Sequence, residues 1–294
     1  MIIDPSTIPI AQLQGYLQSA VAPRPIAFAS TIDKAGNVNL SPFSFFNVFS
    51  ANPPILIFSP ARRVTNNTTK HTLENVLEVP EVVINIVHFP IVEQASLAST
   101  EYERGVDEFV KAGLTAMPSL KVKPPRVGES PVAFECTVEQ VIPLGDNGGA
   151  GNLIIAKVQL IHIQDQYLDE QGRLDTTRLD LVARMGGNWY ARASGAALFE
   201  IPKPLLTRGI GVDQLPEHVR QSTILNGNNL GRLGNMEQIP DAASLQEARK
   251  LPKVQVALSN SGMQQQTMLH YLAKEQLDLG NTALALAILM LYEQ

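Results

Sequence analysis

From Pro25 onward the apolar residues of this chain recur at every second position or in short unbroken runs, which is the mark of β-strands. PIAFASTI (Pro25 to Ile32) is one such run. Asp33-Lys34-Ala35-Gly36-Asn37 then turns the chain back, with Gly36 able to take the positive φ of a tight hairpin. VNLSPFSFFNVFS (38–50) reads as the returning strand, and Asn52-Pro53-Pro54 stops it. ILIFS (55–59) and EVVINIVHF (81–89) are continuous apolar runs of the buried-strand kind. VAFECTVEQVIPL alternates, which puts Val132, Phe134, Cys136 and Val138 on one face and Glu135, Thr137 and Glu139 on the other. LIIAKVQLIHI (153–163) follows after GDNGGAGN, which reads as a glycine-rich hairpin tip.

Helical spacing is confined to single insertions: 11–20, Thr69 to Leu77 with Leu73, Val76 and Leu77 on one face, 92–98, and 106–112. Strands joined by short turns, with helices inserted one at a time, predict a mainly β chain with helices (α+β), built as an antiparallel split β-barrel. The regular βαβ alternation of a doubly wound parallel sheet is missing. The pattern changes near Pro202–Pro204. Beyond it, PDAASLQEARKL with Asp241 as N-cap, MQQQTMLHYLAKEQLDL, and NTALALAILML with Asn281 as N-cap read as helices. The expected organisation is a barrel domain over 1–204 and a helical extension over 205–294. The last helix is apolar all round, so it is expected to pack on the barrel or on a partner subunit.

Composition narrows the function. The net charge is −5 and the pI about 5.6, without the basic stripe of a nucleic-acid binder. The one cysteine, Cys136, excludes an intramolecular disulfide and fits a reducing compartment. The N-terminus lacks a basic region before an apolar core, and the apolar run 282–292 is shorter than the roughly 20 residues that span a bilayer. A cytoplasmic protein with no membrane contact is expected. His71, His88, His162, His218 and His270 are dispersed and have no metal-ligand spacing, so no metal site is expected. Hydrolase elbows, zinc-protease helices and P-loops are absent. Gly149-x-Gly151 opens a strand rather than a helix, which favours a hairpin tip over a dinucleotide fingerprint.

Two stretches carry candidate chemistry. In SPARRVTNNTTKHTLENVL, Arg62, Arg63 and Lys70 gather with Thr65, Thr68, Thr69 and Thr72 at the start of a predicted helix, where backbone N–H groups favour an anion such as phosphate. The competing reading is a solvated polar loop. NLSPFSFFN (Asn39 to Asn47) interleaves phenylalanines with serines and asparagines. That is either a half-buried strand or a wall for a flat ligand with a polar edge, with Phe46 and Phe49 expected to pack inward.

The segment PRPIAFASTIDKAGNVNLSPFSFFNVFSANPPILIFS resembles the flavin-reductase-like FMN-binding split-barrel family. It has that family's P-R-P before a strand, the D-x-x-G hairpin, N-x-[AS]-P-[FY]-S-x-F-N, and the N-P-P turn. VDEFVKAGLT, LIIAKVQLIHI and LVARMGGNWYAR extend the likeness, which covers roughly 20–204. The resemblance implies a homodimer with FMN near its interface. It places Ser30, Ser44, Phe45 and Asn47 along the flavin ring and Ser59, Arg62, Lys70 and Thr72 at the phosphate. It implies an oxidoreductase passing electrons from NADH or NADPH through FMN to an acceptor, with a monooxygenase component as a candidate partner. Arg184 and Tyr190 are candidates for the nicotinamide or substrate side, although Arg184 also suits a surface ion pair. His162 reads as a packed strand histidine. The alternative is a flavin-binding electron carrier or storage protein without NAD(P)H turnover. Relatives often carry K-D-T where this chain has Lys70-His71-Thr72, and the family pattern does not include 205–294.

Overall fold

Ser44 and Phe45 separate two strands that lie at opposite edges of one sheet. The computed structural model describes residues 1–292. Its strands are β1 (Ala27–Ile32), β2 (Val38–Phe43), β3 (Phe46–Ala51), β4 (Pro54–Phe58), β5 (Glu81–Ile86), β6 (Ala116–Met117), β7 (Arg126–Val127), β8 (Val132–Pro143), β9 (Asn152–Ile163), β10 (Val182–Arg184) and β11 (Tyr190–Arg192). Seven of them form an antiparallel sheet in the order β2-β1-β5-β8-β9-β4-β3. Three peptide steps lead from β2 to β3, a reach of roughly 10 Å. The two edges must therefore meet at that end, and the sheet curls into a barrel. No ladder joins β2 to β3 among the described residues, so the barrel is split along that seam. The 38–50 segment is thus two strands rather than the single one its pattern predicts.

Both faces of β1 are buried, which explains its unbroken apolar run. Ala27 and Ala29 join the barrel interior with Phe43, Leu56, Phe58, Ile84, Cys136 and Ile154. Ile26 and Phe28 face outward into a second cluster with Ala95, Ala98, Phe109 and Ala112, which belong to the segments around α3 (Val92–Leu97) and α4 (Glu108–Ala112). The other helices of this part are α1 (Ile10–Ala20) and α2 (His71–Glu78).

Two assignments of face change. Phe49 is 64% exposed, because β3 bulges between Val48 and Ser50 and re-aims it; Phe46 stays against the core. Glu135 is fully buried although its neighbours Thr137 and Glu139 face outward as expected. The segment 119–123 covers β8 there and has no strand partner. Glu135 accepts the N–H groups of Leu120 (2.8 Å) and Lys121 (2.5 Å), and Glu81 accepts that of Lys123 (2.7 Å). Carboxylates thus accept the amides that a ladder would otherwise have paired.

The chain divides into two compact units, Met1–Phe199 and the residues from Glu200 on. The second is helical: α5 (Glu217–Arg220), α6 (Gly227–Gly234), α7 (Ala242–Lys250), α8 (Pro252–Leu258), α9 (Gly262–Asp278) and α10 (Thr282–Leu289). Asp241 caps α7 by accepting the Ser244 N–H. Asn281 precedes α10 but does not cap it; its amide donates to Gln276 instead. Ala285 to Leu289 of α10 are buried in this unit's own core, with Leu233, Leu269 and Leu277. The pattern missed α6, whose glycines and asparagines disfavour helix; a reciprocal Asn226–Asn229 capping box starts it.

Candidate functional site

Ser59 follows β4 beside the seam. Its N–H donates to the Phe45 carbonyl (2.9 Å), which ties the Ser44–Phe45 break to the loop that follows. That loop, 60–70, is braced from the other side by the 145–151 hairpin tip. The N–H of Arg62 donates to Ala150 O, and that of Gly149 to Arg62 O. Gly148 and Gly151 allow a close approach here. A Cβ at Gly148 falls 3.0 Å from the Arg63 carbonyl, and one at Gly151 falls 2.6 Å from Ser59 Oγ. The glycine-rich stretch is therefore a hairpin tip, as expected, shaped to fit against the polar loop.

The far end of the loop is anchored by a buried network. Thr72 Oγ1 donates to Asn39 Oδ1 (2.8 Å), and Asn39 Nδ2 donates to Glu108 Oε1 (3.0 Å). The other Glu108 oxygen accepts the Leu40 N–H (2.9 Å). Burial raises the Glu108 pKa above the usual carboxylate range against these donors. The network joins α2, β2 and α4, so both ends of NLSPFSFFN abut the ends of the polar loop.

Within this frame the cations separate. Arg62 turns into its own loop, where Nε donates to Asn67 Oδ1 (2.7 Å) and a terminal nitrogen to Asn67 O (2.8 Å). Arg63 and Lys70 converge instead. Arg63 is held by Thr68 Oγ1 (2.7 Å) and the Thr69 carbonyl. Its Nε lies 2.6 Å from Glu101 Oε1, and Lys70 Nζ lies 3.2 Å from the same oxygen. These hydrogen bonds hold the Glu101 carboxyl below its usual range. Ser41, Lys70, His71, Thr72, Ser99 and Thr100 line the small cleft around them. The cleft accepts an anionic group, because a carboxylate already sits between its two cations. The donor set of guanidinium, ammonium and hydroxyls suits a phosphate ester equally well.

The remaining predicted residues fall in three places. Ser44 and Asn47 lie on either side of Phe45, which is exposed; Asn47 accepts the Val48 N–H. Ser30 is fully buried on β1 and its hydroxyl has no partner among the described residues. Its side chain has no open face for a ligand, since both sides of β1 are covered. Arg184 and Tyr190 pair across β10 and β11, with the guanidinium 4.5 Å from the ring centroid. Arg184 also donates to Gly187 O (2.8 Å) rather than to a surface carboxylate.

Arg24, which sequence reasoning passed over, connects these groups. It exchanges two backbone hydrogen bonds with Arg184, and its side chain donates to the carbonyls of Gln18, Val21 (2.6 Å) and Met185 (2.9 Å). Its Nε reaches Ser44 Oγ at 3.4 Å. Burial, with Arg184 nearby, lowers its pKa. The available signal was its place between Pro23 and Pro25, which imposes extended backbone.

A cavity of about 640 Å³ in the barrel unit shares no residue with this cluster. It is an open groove lined by Arg126, Glu129, Gln164 and His162, whose Nε2 is paired with the buried Glu135. Among the described residues no group of three or more histidine, cysteine or carboxylate side chains could hold a metal ion. Burial and the Glu135 charge push the Cys136 thiol up to about 12, so it is unreactive.

A family model described as the flavin reductase like domain matches residues 19–178, more than half of the chain. The chain belongs to the flavin reductase-like family. An uncharacterized protein of Halalkalibacterium halodurans is 36% identical over 210 residues, covering 71% of this chain and 99% of its own length. Nitrilotriacetate monooxygenase component B from Bacillus cereus superposes with a TM-score of 0.64 at 28% identity, over 68% of this chain and 98% of that one. A Shewanella frigidimarina protein described as having a split barrel domain superposes at 0.58 and 25% identity, over 69% and 99%. The mainly β split barrel with inserted helices is therefore the fold of this family member. The residues from 179 on lie outside the family match. Among the described residues no helix is long and apolar enough to cross a membrane.

Proposed function

We propose that this protein is an FMN-binding oxidoreductase that takes electrons from NADH or NADPH and passes them to an acceptor. The observation that carries the reading is the Arg63–Lys70 cleft, joined through loop 60–70 and Ser59 to the exposed ring of Phe45. An isoalloxazine phosphate needs these two things together, an anion cradle and an apolar wall with polar groups at its edge. Lys70, Arg63 and the Ser41 hydroxyl hold the phosphate; Thr72, buried and donating to Asn39, anchors the loop end, and Arg62 and Ser59 shape the loop behind it. Ser44 and Asn47 border the ring, and Arg24 fixes Ser44 against β10. Arg184 and Tyr190, stacked on one another, face the nicotinamide or substrate. Bound flavin supplies the hydride acceptor, so the chain needs to orient and shield rather than donate a proton. FMN rather than FAD is supported by a cradle for one terminal phosphate and by the lack of a dinucleotide fingerprint.

A homodimer is supported by β3, an edge strand that exposes Val48 and Phe49 beside Phe45, since an apolar edge invites a second chain. The likeness to a monooxygenase component supports a monooxygenase as recipient of the reduced flavin. The lone buried Cys136 supports a cytoplasmic location. Two measurements test the reading: chromatography of flavin released by heat, and NAD(P)H oxidation under air with and without added FMN. Recovery of mainly FAD overturns the choice of FMN. Flavin binding without NAD(P)H turnover leaves the electron-carrier alternative.

A further inference from the structure

The carboxylate between Arg63 and Lys70 belongs to Glu101, in the segment between α3 and α4. Both contacts fall on one oxygen, Oε1, and the side chain is 58% exposed. The two sides of this arrangement are unequally built. Arg63 is fixed without Glu101: its N–H donates to Thr68 O, and its guanidinium to Thr68 Oγ1 and Thr69 O. The loop bearing it is braced by the 145–151 hairpin. Glu101, by contrast, is held over the cleft by the two cations themselves. A ligand phosphate carries up to two charges and three acceptor oxygens against one charge and one engaged oxygen, so it displaces the carboxylate, which swings into solvent.

We propose that Glu101 is a built-in competitor for the flavin phosphate, which keeps the flavin exchangeable rather than permanently bound. The proposal rests on the FMN reading given above. Its functional sense is that a protein that hands reduced flavin to another enzyme must release it. An internal anion that refills the cradle lowers affinity without deleting any phosphate-binding group. The apparent dissociation constant rises by the inverse of the fraction of molecules in which Glu101 is withdrawn. Two ion pairs to a carboxylate that lies largely in solvent hold it in place, which sets that factor at roughly three- to tenfold.

The experiment is titration of FMN and of riboflavin into wild type, Glu101→Gln and Glu103→Gln, followed by flavin fluorescence, with release rates from stopped flow. Glu103 is an exposed carboxylate two residues away with no contact to the cleft, so it controls for the general loss of negative charge. Expected are a three- to tenfold tighter FMN constant and slower release for E101Q, with riboflavin unchanged, and wild-type behaviour for E103Q. Inorganic phosphate should compete with FMN more strongly in E101Q. Equal tightening by E101Q and E103Q means a field effect and overturns the proposal. So does E101Q binding FMN no tighter than wild type, an outcome that leaves the flavin reading standing. No FMN binding by any of the three proteins overturns both.

Discussion

Replacing Lys70 by alanine separates a ligand-binding role from a structural one, because the structure assigns the two effects different sizes. The Lys70 side chain is 30% exposed and its ion pair is with Glu101, itself largely in solvent. An exposed pair of this kind contributes roughly 0.2–1 kcal/mol to folding. In a unit of this size that corresponds to a melting shift of about 1–4 °C at most. The same ammonium on a bound phosphate makes a charge-assisted hydrogen bond, for which about 1.5–3 kcal/mol is typical. Lys70→Ala should therefore weaken FMN binding about ten- to a hundredfold while the protein melts almost unchanged. Riboflavin, which has no phosphate, should bind wild type and variant alike. Flavin-fluorescence titration and a thermal melt on the same samples give both numbers. An unchanged FMN constant, or an equal loss for riboflavin, refutes the placement of Lys70 on the phosphate and returns it to the solvated loop.

Glu135→Ala removes the acceptor of two partly buried amides and the partner of His162; with water able to reach part of what is left unpaired, it should destabilise the barrel by about 1–3 kcal/mol in urea. Hydrogen exchange should show the Leu120 and Lys121 amides losing protection, and unchanged protection there defeats the argument. In the helical unit, burial and the adjacent His218 depress the His270 pKa to about 4. Ser222 Oγ already accepts the Ile224 and Leu225 N–H groups, so it donates to His270 Nδ1, and the neutral imidazole donates from Nε2 to His218. The unfolded state binds the proton first, so stability is full above pH ~6.5 and is lost as pH falls toward 4, by roughly 3 kcal/mol in all. Denaturant midpoints that stay flat between pH 7 and 4.5 contradict this. Truncation after Gly280 removes α10, whose Ala285 to Leu289 are all within 1% of full burial. The helical unit should then lose its cooperative unfolding transition in circular dichroism while the barrel transition remains; a truncated chain that keeps both transitions shows that α10 is dispensable.

What the amino-acid sequence determined by itself is local. Period-two runs marked the strands, and the β1–β2 hairpin followed from Gly36, which the structure places at φ 88°. The capping of α7 by Asp241 was legible because a cap is a contact across three residues. The spacing of P-R-P, N-x-S-P-F-S and N-P-P was enough to identify the family. What tertiary structure alone decided depends on partners distant in sequence. The 38–50 run is a single pattern, yet its halves pair with β1 and β4 at opposite sheet edges, because the barrel closes there. Glu135 follows an outward alternation, yet it is buried because a loop some 15 residues earlier lies over it and needs acceptors. Arg62 and Arg63 are indistinguishable neighbours in the sequence. Asn67, at positive φ, takes one guanidinium into the loop, while Thr68 and the Thr69 carbonyl hold the other at the cleft, where it meets Glu101, 38 residues on. A side chain's direction at such positions is set by which groups the folded loop and its neighbours bring to its charge, and one-dimensional periodicity carries no record of that folding.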